Sequence, residues 1–293
     1  MAADLAKQYD KEELEKLKKA ELNILYDFIQ VCEKHEINYF LAWGTAIGAV
    51  RHQGFIPWDD DIDIGMLRED YDKFMAVAEQ ELGDRYKLTT PVTEKGYAGT
   101  VAKLQRKGTK FVPYISRTMK CDLCLHIDLF IYDNMDNDVE AARKNIRKTR
   151  RIAHIIFLCG SPYPIIRIKG IKGALAKTAC FLAHYIFKLF RVSTAKQYMK
   201  FEKISTASNH KNTAKLTSYQ SLAAFTNAVS KEDIFPLKEI QFEDLTVKIP
   251  NHYDKMLRQT YGNYMELPKE EDRVNHGAYL IDFGDGSVLK RGV

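Results

Sequence analysis

The stretch Trp58-Asp59-Asp60-Asp61-Ile62-Asp63-Ile64 decides the fold and the chemistry that we predict for this chain. In the last four residues of this stretch aspartate alternates with isoleucine, which predicts a strand over 61–66. Side chains two residues apart in a strand point to the same face, so Asp61 and Asp63 would reach a single cation. Carboxylate oxygens suit Mg²⁺ or Mn²⁺, ions that take further ligands from water and substrate phosphates.

Four aspartates in five residues repel one another, and a bound cation would relieve that repulsion. The plain alternative is a solvated acidic turn. The metal interpretation is favoured because these carboxylates follow the apolar run 55–58 on a half-buried strand. A third carboxylate, Asp128, interrupts the apolar strand predicted at 125–132, where an unpaired acid is costly to bury. Asp133 is predicted to lie in a turn.

Working outward from the motif, hydrophobic periodicity predicts an alternation of helices and strands. Helices are predicted at 11–35, 45–51, 68–82 and 251–261. Strands are predicted at 38–43, 61–66, 86–89, 98–105, 109–113, 125–132 and 245–250, followed by a polar tail. This pattern predicts an α+β fold with a mixed sheet flanked by helices.

Residues 139–205 differ from the rest because they are predicted to be helical throughout, with breaks at 160–164 and 170–173. The predicted organisation is therefore a catalytic core over 1–138, a helical insertion over 139–205, and a part over 206–293 that completes the catalytic domain. In the insertion, 143–151 is strongly basic. Residues 171–190 are apolar apart from a narrow polar strip. Either 143–190 contacts a membrane surface as a peripheral element, or its apolar side packs on the core.

Composition excludes several classes of protein. With 45% hydrophobic and 28% charged residues, the 293-residue chain is typical of a soluble globular protein. A net charge of +5 is mild and does not indicate nucleic-acid binding. Five cysteines without regular spacing predict reduced thiols. The first 20 residues lack a signal peptide and no run of 18 apolar residues occurs, so we expect a cytoplasmic protein, at most associated with the inner face of the cell membrane.

The block at 39–71, which contains Trp43-Gly44-Thr45 and the acidic motif, resembles the signature of the LicD family. The resemblance continues through 102–104, through His126-Ile127-Asp128-Leu129-Phe130, and through Tyr261-Gly262-Asn263-Tyr264-Met265 to 276. It leaves out 139–205. LicD proteins are bacterial phosphocholine transferases, and fukutin-related ribitol-phosphate transferases are distant relatives. The resemblance implies a nucleotidyltransferase-type fold.

The family resemblance also implies a reaction. A phosphorylated alcohol would pass from CDP-choline or another CDP-alcohol to a glycan hydroxyl, releasing CMP; the acceptor would be a lipid-linked glycan such as a teichoic-acid or lipopolysaccharide precursor. Asp61, Asp63 and Asp128 would hold Mg²⁺ or Mn²⁺, and Asp128 could take the hydroxyl proton.

The other candidate site residues are expected to bind substrate. Contacts to donor phosphates are expected from Gly44, Thr45, Arg51, His52 and Lys103. Ordinary surface charge is the alternative for the last three. Choline contacts are hypothesised for Tyr39, Trp43 and Trp58, since aromatic rings bind quaternary ammonium groups; core packing is the alternative. Donor or acceptor contacts are hypothesised for Arg273 and His276, and a surface role is the alternative. Two rival functions remain: nucleotidyl transfer with release of pyrophosphate, and an inactive glycan- or membrane-binding protein.

Overall fold

A mixed β-sheet forms the centre of the computed structural model, which describes residues 8–164, 166, 168 and 170–290. Its strand order is β1-β2-β6-β4-β3, and β7 pairs with the end of β6. The strands are β1 Phe40–Leu41, β2 Asp63–Leu67, β3 Tyr86–Thr89, β4 Ala102–Arg106, β6 His126–Met135 and β7 Lys215–Thr217. β2 runs parallel to β6, whereas the other pairs are antiparallel, which confirms the predicted mixed sheet of an α+β fold.

Helices pack around this sheet and extend from it. They are α1 Lys11–Lys34, α2 Trp43–His52, α3 Arg68–Leu82, α4 Val139–Gly160, α5 Gly170–Leu189, α6 Thr194–Ser205, α7 Lys231–Ile234 and α8 Tyr253–Tyr261. α1 begins with a capping box, in which Asp10 accepts from the Glu13 amide and Glu13 accepts from the Asp10 amide. Its apolar side joins the core formed with the sheet.

Two strands that were not predicted occupy the C-terminal region. β10 Ala278–Asp282 and β11 Val288–Lys290 form a second sheet with β5 Lys110–Pro113. The predicted polar tail is therefore wrong. Ala278 and Ile281 enter the core, and Ile281 lies opposite Phe111 in the ladder. A further hairpin consists of β8 Lys238–Phe242 and β9 Leu245–Ile249.

The strands around the acidic motif are shorter than predicted. β1 ends at Leu41, and Trp43 already begins α2. β2 begins at Asp63, so Asp61 precedes the strand instead of belonging to it. The ladder to β6 starts here because the Asp128 amide donates to the Ile62 carbonyl and Asp63 lies opposite Asp128.

Asp133 lies inside β6, which corrects the predicted turn. The strand continues because its end pairs with β7, and Asp133 lies opposite Thr217. The carboxylate is 2% exposed and is held by Arg68, with both N···O distances at 2.8 Å. The third guanidinium nitrogen of Arg68, Nη1, donates to Glu202 on α6, so the ion network joins α3, β6 and α6.

The insertion attaches to the core through α4 and α6. Ile156, Tyr198 and Phe201 pack with Ala98 and Tyr219 in a cluster of their own. The predicted break at 170–173 is wrong, because α5 begins at Gly170. Gly173 lies close to the backbone of Ile168, and a Cβ on Gly173 would meet the Ile168 carbonyl oxygen at 2.0 Å. No helix in the described part of the chain is both long and apolar enough to span a bilayer.

Candidate active site

The parallel pairing of β2 and β6 brings two of the three predicted acids together. Asp63 and Asp128 are direct register partners at the start of the two strands, and both are partly exposed. Asp61 stands two residues before the β2 ladder, also partly exposed. The three acids chosen from the sequence thus converge on one end of the sheet.

The loop before β2 carries two more carboxylates and is held by the C-terminal region. Asp60 is buried, and its Oδ1 accepts from the His276 amide at 2.9 Å and from His276 Nδ1 at 2.8 Å. His276 Nδ1 also lies 3.5 Å from Asp61 Oδ2. The hydrogen bond to Asp60, followed by the charge of Asp61, raises the pKa of His276 above its usual value. The imidazole therefore contacts the acidic loop as a cation.

Crowding changes the proton affinity of these acids. Burial and then the neighbouring Asp59 raise the pKa of Asp61 to about 7. Burial, followed by Asp61 and Asp128, raises the pKa of Asp63 well above its usual value. The pKa of Asp59 is raised as well, mainly by burial, with His276 opposing the shift. Such shifts mean that the site favours added positive charge.

Lys103 and His126 surround Asp128 on adjacent strands. Lys103 Nζ contacts Asp128 Oδ1 at 2.5 Å and His126 Nε2 at 2.8 Å. Nδ1 of His126 lies 2.8 Å from the Cys124 carbonyl and donates to it, so Nε2 accepts from the lysine. Burial, and then Lys103, lowers the pKa of His126 to about 4, which keeps the ring neutral. In this structure Lys103 is thus paired with Asp128, and its predicted phosphate contact stays a prediction.

Glu21 is an additional acid that sequence analysis missed. It lies on α1 with 2% exposure, and its Oε2 has no hydrogen-bond partner among the described residues. Burial raises its pKa well above the usual value, and Asp61, Asp60, Asp59 and Asp128 raise it further. One turn earlier, Lys18 donates to the Ile56 and Pro57 carbonyls. The sequence did contain a signal for Glu21, since it is a glutamate on the apolar face of α1, at helical spacing from Leu17, Ile24 and Phe28.

Gly44 and Thr45 shape the acidic loop from the first turn of α2. A Cβ at Gly44 would lie 2.9 Å from Asp59 Oδ2, so glycine allows the carboxylate to approach the helix. The Thr45 hydroxyl accepts from the Asp63 amide at 2.8 Å and is buried. In the described structure both residues therefore contact the aspartates; the predicted phosphate contacts remain predictions.

Two arginines lie close to each other and have no acidic partner among the described residues. Arg51 donates to the Tyr264 carbonyl and to His52 Nε2. Arg273 stacks over the Trp58 ring at 5.3 Å. Burial lowers the pKa of Arg51, and the positive charge of Arg273 lowers it further, so the two cations are close enough to repel. The pKa of His52 is lowered by burial and by Arg51, which suits its role as acceptor.

The three aromatic residues of the hypothesised choline box lie in different surroundings. Tyr39 is 1% exposed and packs edge-on against Phe28 in the core. Trp58 lies under Arg273, as described above. Trp43 packs edge-on against Phe130, and its buried Nε1 has no partner among the described residues. These three rings therefore do not form a single box.

Trp43 instead shares a small cavity with other aromatic side chains. The cavity is about 30 Å³ and is lined in part by Tyr132 and Tyr261. Burial raises the pKa of Tyr261 above its usual range, and Asp63, Asp59 and Asp61 raise it further, so this ring lies near the acids. The volume is that of about one water molecule. A quaternary ammonium would need this cavity to open.

The donor set fits a divalent metal ion. Hard carboxylate oxygens are grouped, Asp60 Oδ2 is buried without a partner among the described residues, and the pKa values of Asp61 and Asp63 are raised. Ligand atoms of Asp59, Asp60 and His276 lie within 4.8 Å of one another. That set differs from the predicted Asp61, Asp63 and Asp128. In this structure Lys103 already neutralises Asp128, and His276 neutralises Asp60.

Comparisons with known proteins decide the family. The family model for the LicD/FKTN/FKRP nucleotidyltransferase domain matches residues 36–155, which include Asp61, Asp63 and Asp128. Lipopolysaccharide cholinephosphotransferase LicD of Haemophilus influenzae is 32% identical over 270 residues, covering 89% of this chain and 95% of that protein. The chain belongs to the LicD family. It is a phosphotransferase with the mixed-sheet fold of that family.

More distant LicD relatives match only parts of the chain. Ribitol 5-phosphate transferase FKRP of Homo sapiens is 32% identical over 77 residues, covering 26% of this chain and 16% of that protein. An uncharacterised protein of Rickettsia typhi is 44% identical over 66 residues, covering 22% of this chain and 21% of that protein. The LicD family therefore includes transferases whose phospho-alcohols differ.

Proposed function

We propose that the protein transfers phosphocholine, or a related phospho-alcohol, from a CDP-linked donor to a hydroxyl of a cell-surface glycan or teichoic-acid precursor. The observation that carries this proposal is the pairing of Asp63 with Asp128 beside Asp61, in a chain that matches a cholinephosphotransferase over nearly its whole length. Nucleotidyl transfer would use similar acids, but the full-length relative is a phosphocholine enzyme.

The donor would be bound by the acids and by Arg51 and Arg273. A Mg²⁺ or Mn²⁺ ion held by Asp61, Asp63 and Asp128 would neutralise charge on the donor diphosphate. Arg51 and Arg273 repel each other in the structure, and an anion between them would remove that repulsion. The two guanidinium groups are therefore the proposed phosphate contacts.

The transfer step needs an oriented glycan hydroxyl and a group that takes the proton of that hydroxyl. The glycan oxygen attacks the phosphorus of the phospho-alcohol, the new P–O bond forms, and the bond to CMP breaks with CMP leaving as the anion. Asp128 takes the hydroxyl proton on Oδ2, since Lys103 contacts only Oδ1. Lys103 keeps the carboxylate turned towards the substrate.

The acceptor class also affects where the enzyme works. If the glycan is built on a lipid carrier, the enzyme meets it at a bilayer surface. The proposal therefore includes peripheral contact through 143–190 and a location at the inner face of the cell membrane.

Product analysis tests the proposed reaction. Purified protein, Mg²⁺, CDP-choline and a lipid-linked glycan should give CMP and a phosphocholine-modified glycan. Asp128→Asn should lower the rate about 10²–10⁴-fold, the usual contribution of a general base, while Asp244→Asn in the exposed β8–β9 turn should not. Release of pyrophosphate from a nucleoside triphosphate would favour nucleotidyl transfer. Failure with CDP-choline, CDP-glycerol and CDP-ribitol would contradict the proposal.

A further inference from the structure

One face of α5 exposes an unusual number of large apolar side chains. They recur at helical spacing, so they lie on one side of the helix, and they are Ile171, Leu175, Leu182, Ile186 and Leu189. Their exposure ranges from 51% at Ile186 to 81% at Ile171. Within the described part of the chain nothing packs on this side. We call these five residues the α5 apolar face.

The opposite side of α5 is the one that packs on the protein. Gly173 and His184 are the buried residues of this helix. Nδ1 of His184 lies 2.7 Å from the Leu158 carbonyl of α4, which fixes the rotation of α5 about its axis. Of the two alternatives for 171–190, packing of its apolar side on the core is not seen, since the side of α5 that contacts α4 is a different one.

The face contains little polar surface. Thr178 lies within it by helical spacing, but its hydroxyl donates to the Ala174 carbonyl at 3.1 Å, one turn earlier. That bond satisfies the hydroxyl inside the helix, as a polar group in an apolar environment requires. Phe190, directly after α5, adds a further ring that is 74% exposed. Monomeric soluble proteins rarely expose contiguous apolar surfaces of this kind.

Basic side chains border the α5 apolar face. By helical spacing, Lys172 lies along one margin, and Lys177 and Lys188 lie along the other. All three are exposed. No aspartate or glutamate occurs between Glu140 and Glu202, a segment that includes the basic run at 143–151. The margins of the α5 apolar face are therefore complementary in charge to a negatively charged surface.

We propose that the α5 apolar face docks on a bilayer leaflet that contains anionic lipids. The helix would lie parallel to the surface, with its apolar residues among the acyl chains and its lysines at the headgroups. A second copy of the chain fits less well, because pairing the same faces would bring basic margins together. The inference rests on the peripheral contact through 143–190 that is part of the proposed function, but it does not depend on the transfer chemistry.

Vesicle co-sedimentation tests the docking surface. The full-length protein should bind vesicles of phosphatidylcholine with 30% phosphatidylglycerol and should bind pure phosphatidylcholine far more weakly. Leu182→Glu combined with Ile186→Glu should weaken binding at least about tenfold, because each apolar side chain contributes more than 1.4 kcal/mol when buried. Lys188→Gln should weaken it roughly fivefold, as expected for one basic residue at an anionic surface.

Leu222→Glu is the matched control, since Leu222 is 77% exposed and lies outside α5. It should bind as the unchanged protein does, and thermal melting should show that every variant folds. Three results would overturn the inference: no binding to anionic vesicles, equal binding by the double variant, or a dimer in light scattering that the double variant converts to a monomer without any lipid binding. None of these readouts involves activity.

Discussion

Single side chains set the electrostatic balance of the site. Glu21 shows this most clearly, because it is a buried acid close to four aspartates and its pKa is raised well above the usual 4.5. A carboxyl group whose pKa rises on folding stabilises the fold only at low pH. Its contribution is present below the unfolded pKa and is lost as pH rises towards the folded pKa.

We therefore predict that Glu21→Gln stabilises the metal-free protein at neutral pH. The difference in melting temperature from the unchanged protein should be near zero at pH 4 and should grow to roughly 2–4 °C or more by pH 7.5, the shift that about 1 kcal/mol produces in a large domain. Thermal unfolding in EDTA across this range measures it. If the melting temperatures of the two proteins differed by the same amount at every pH, Glu21 would not titrate as described.

A second prediction at the scale of single residues concerns Arg273. Arg273→Gln removes a guanidinium that stacks on Trp58 near Arg51 and has no acidic partner among the described residues. We expect the Kd for the CDP-linked donor to rise about 10- to 100-fold, as for a lost charged hydrogen bond. Arg85→Gln is the control, because Arg85 pairs with Asp27 instead. Equal donor binding by both variants would exclude Arg273 from the phosphate site.

At the scale of elements, α2 positions the acidic loop through its glycines. Gly44 faces the Asp59 carboxylate, whereas a Cβ at Gly48 would meet the Gly54 carbonyl oxygen at 2.4 Å. The first contact is with a side chain that can turn away. The second is with backbone that cannot move without disturbing the loop.

Gly44→Ala should therefore reduce activity without reducing stability. Alanine favours the helix by roughly 0.5–1 kcal/mol over glycine, while Asp59 must leave its position. Gly48→Ala, the control in the same helix, should lower the melting temperature. Activity assays and thermal melting of both variants check this. A Gly44→Ala protein with full activity would show that the position of Asp59 is unimportant.

Local periodicity explains which elements could be predicted. α1 and α3 were predicted within a residue or so, because their apolar spacing extends over several turns. β10 could not be predicted, since its partner β5 lies far away in sequence, and β11 forms only as the second strand of a hairpin with β10. Asp63 and Asp128 were visible as charges on apolar strands, and Asp61 as part of the same acidic motif, although it precedes β2. The contact of His276 with Asp60 depends on tertiary folding and has no local signal.

At the scale of the whole molecule, buried ions tie the helical insertion to the sheet. Arg68 is 13% exposed and bonds to Asp133 in β6 and to Glu202 in α6. Arg68→Met should lower the free energy of unfolding by about 3–5 kcal/mol, because it leaves the buried Asp133 carboxylate without its cationic partner. Urea unfolding measures this, with exposed Arg85→Met as the control. A loss under 1 kcal/mol would contradict the described network.

The central claim is that the clustered aspartates hold a divalent ion and, with it, a CDP-alcohol. Calorimetric titration with CDP-choline, with and without Mg²⁺, tests it most directly, comparing the unchanged protein with Asp61→Ala and with Asp244→Ala as control. The account predicts binding that requires Mg²⁺, is lost in Asp61→Ala and is retained in Asp244→Ala. Equal binding by Asp61→Ala, or binding indifferent to Mg²⁺, would contradict it.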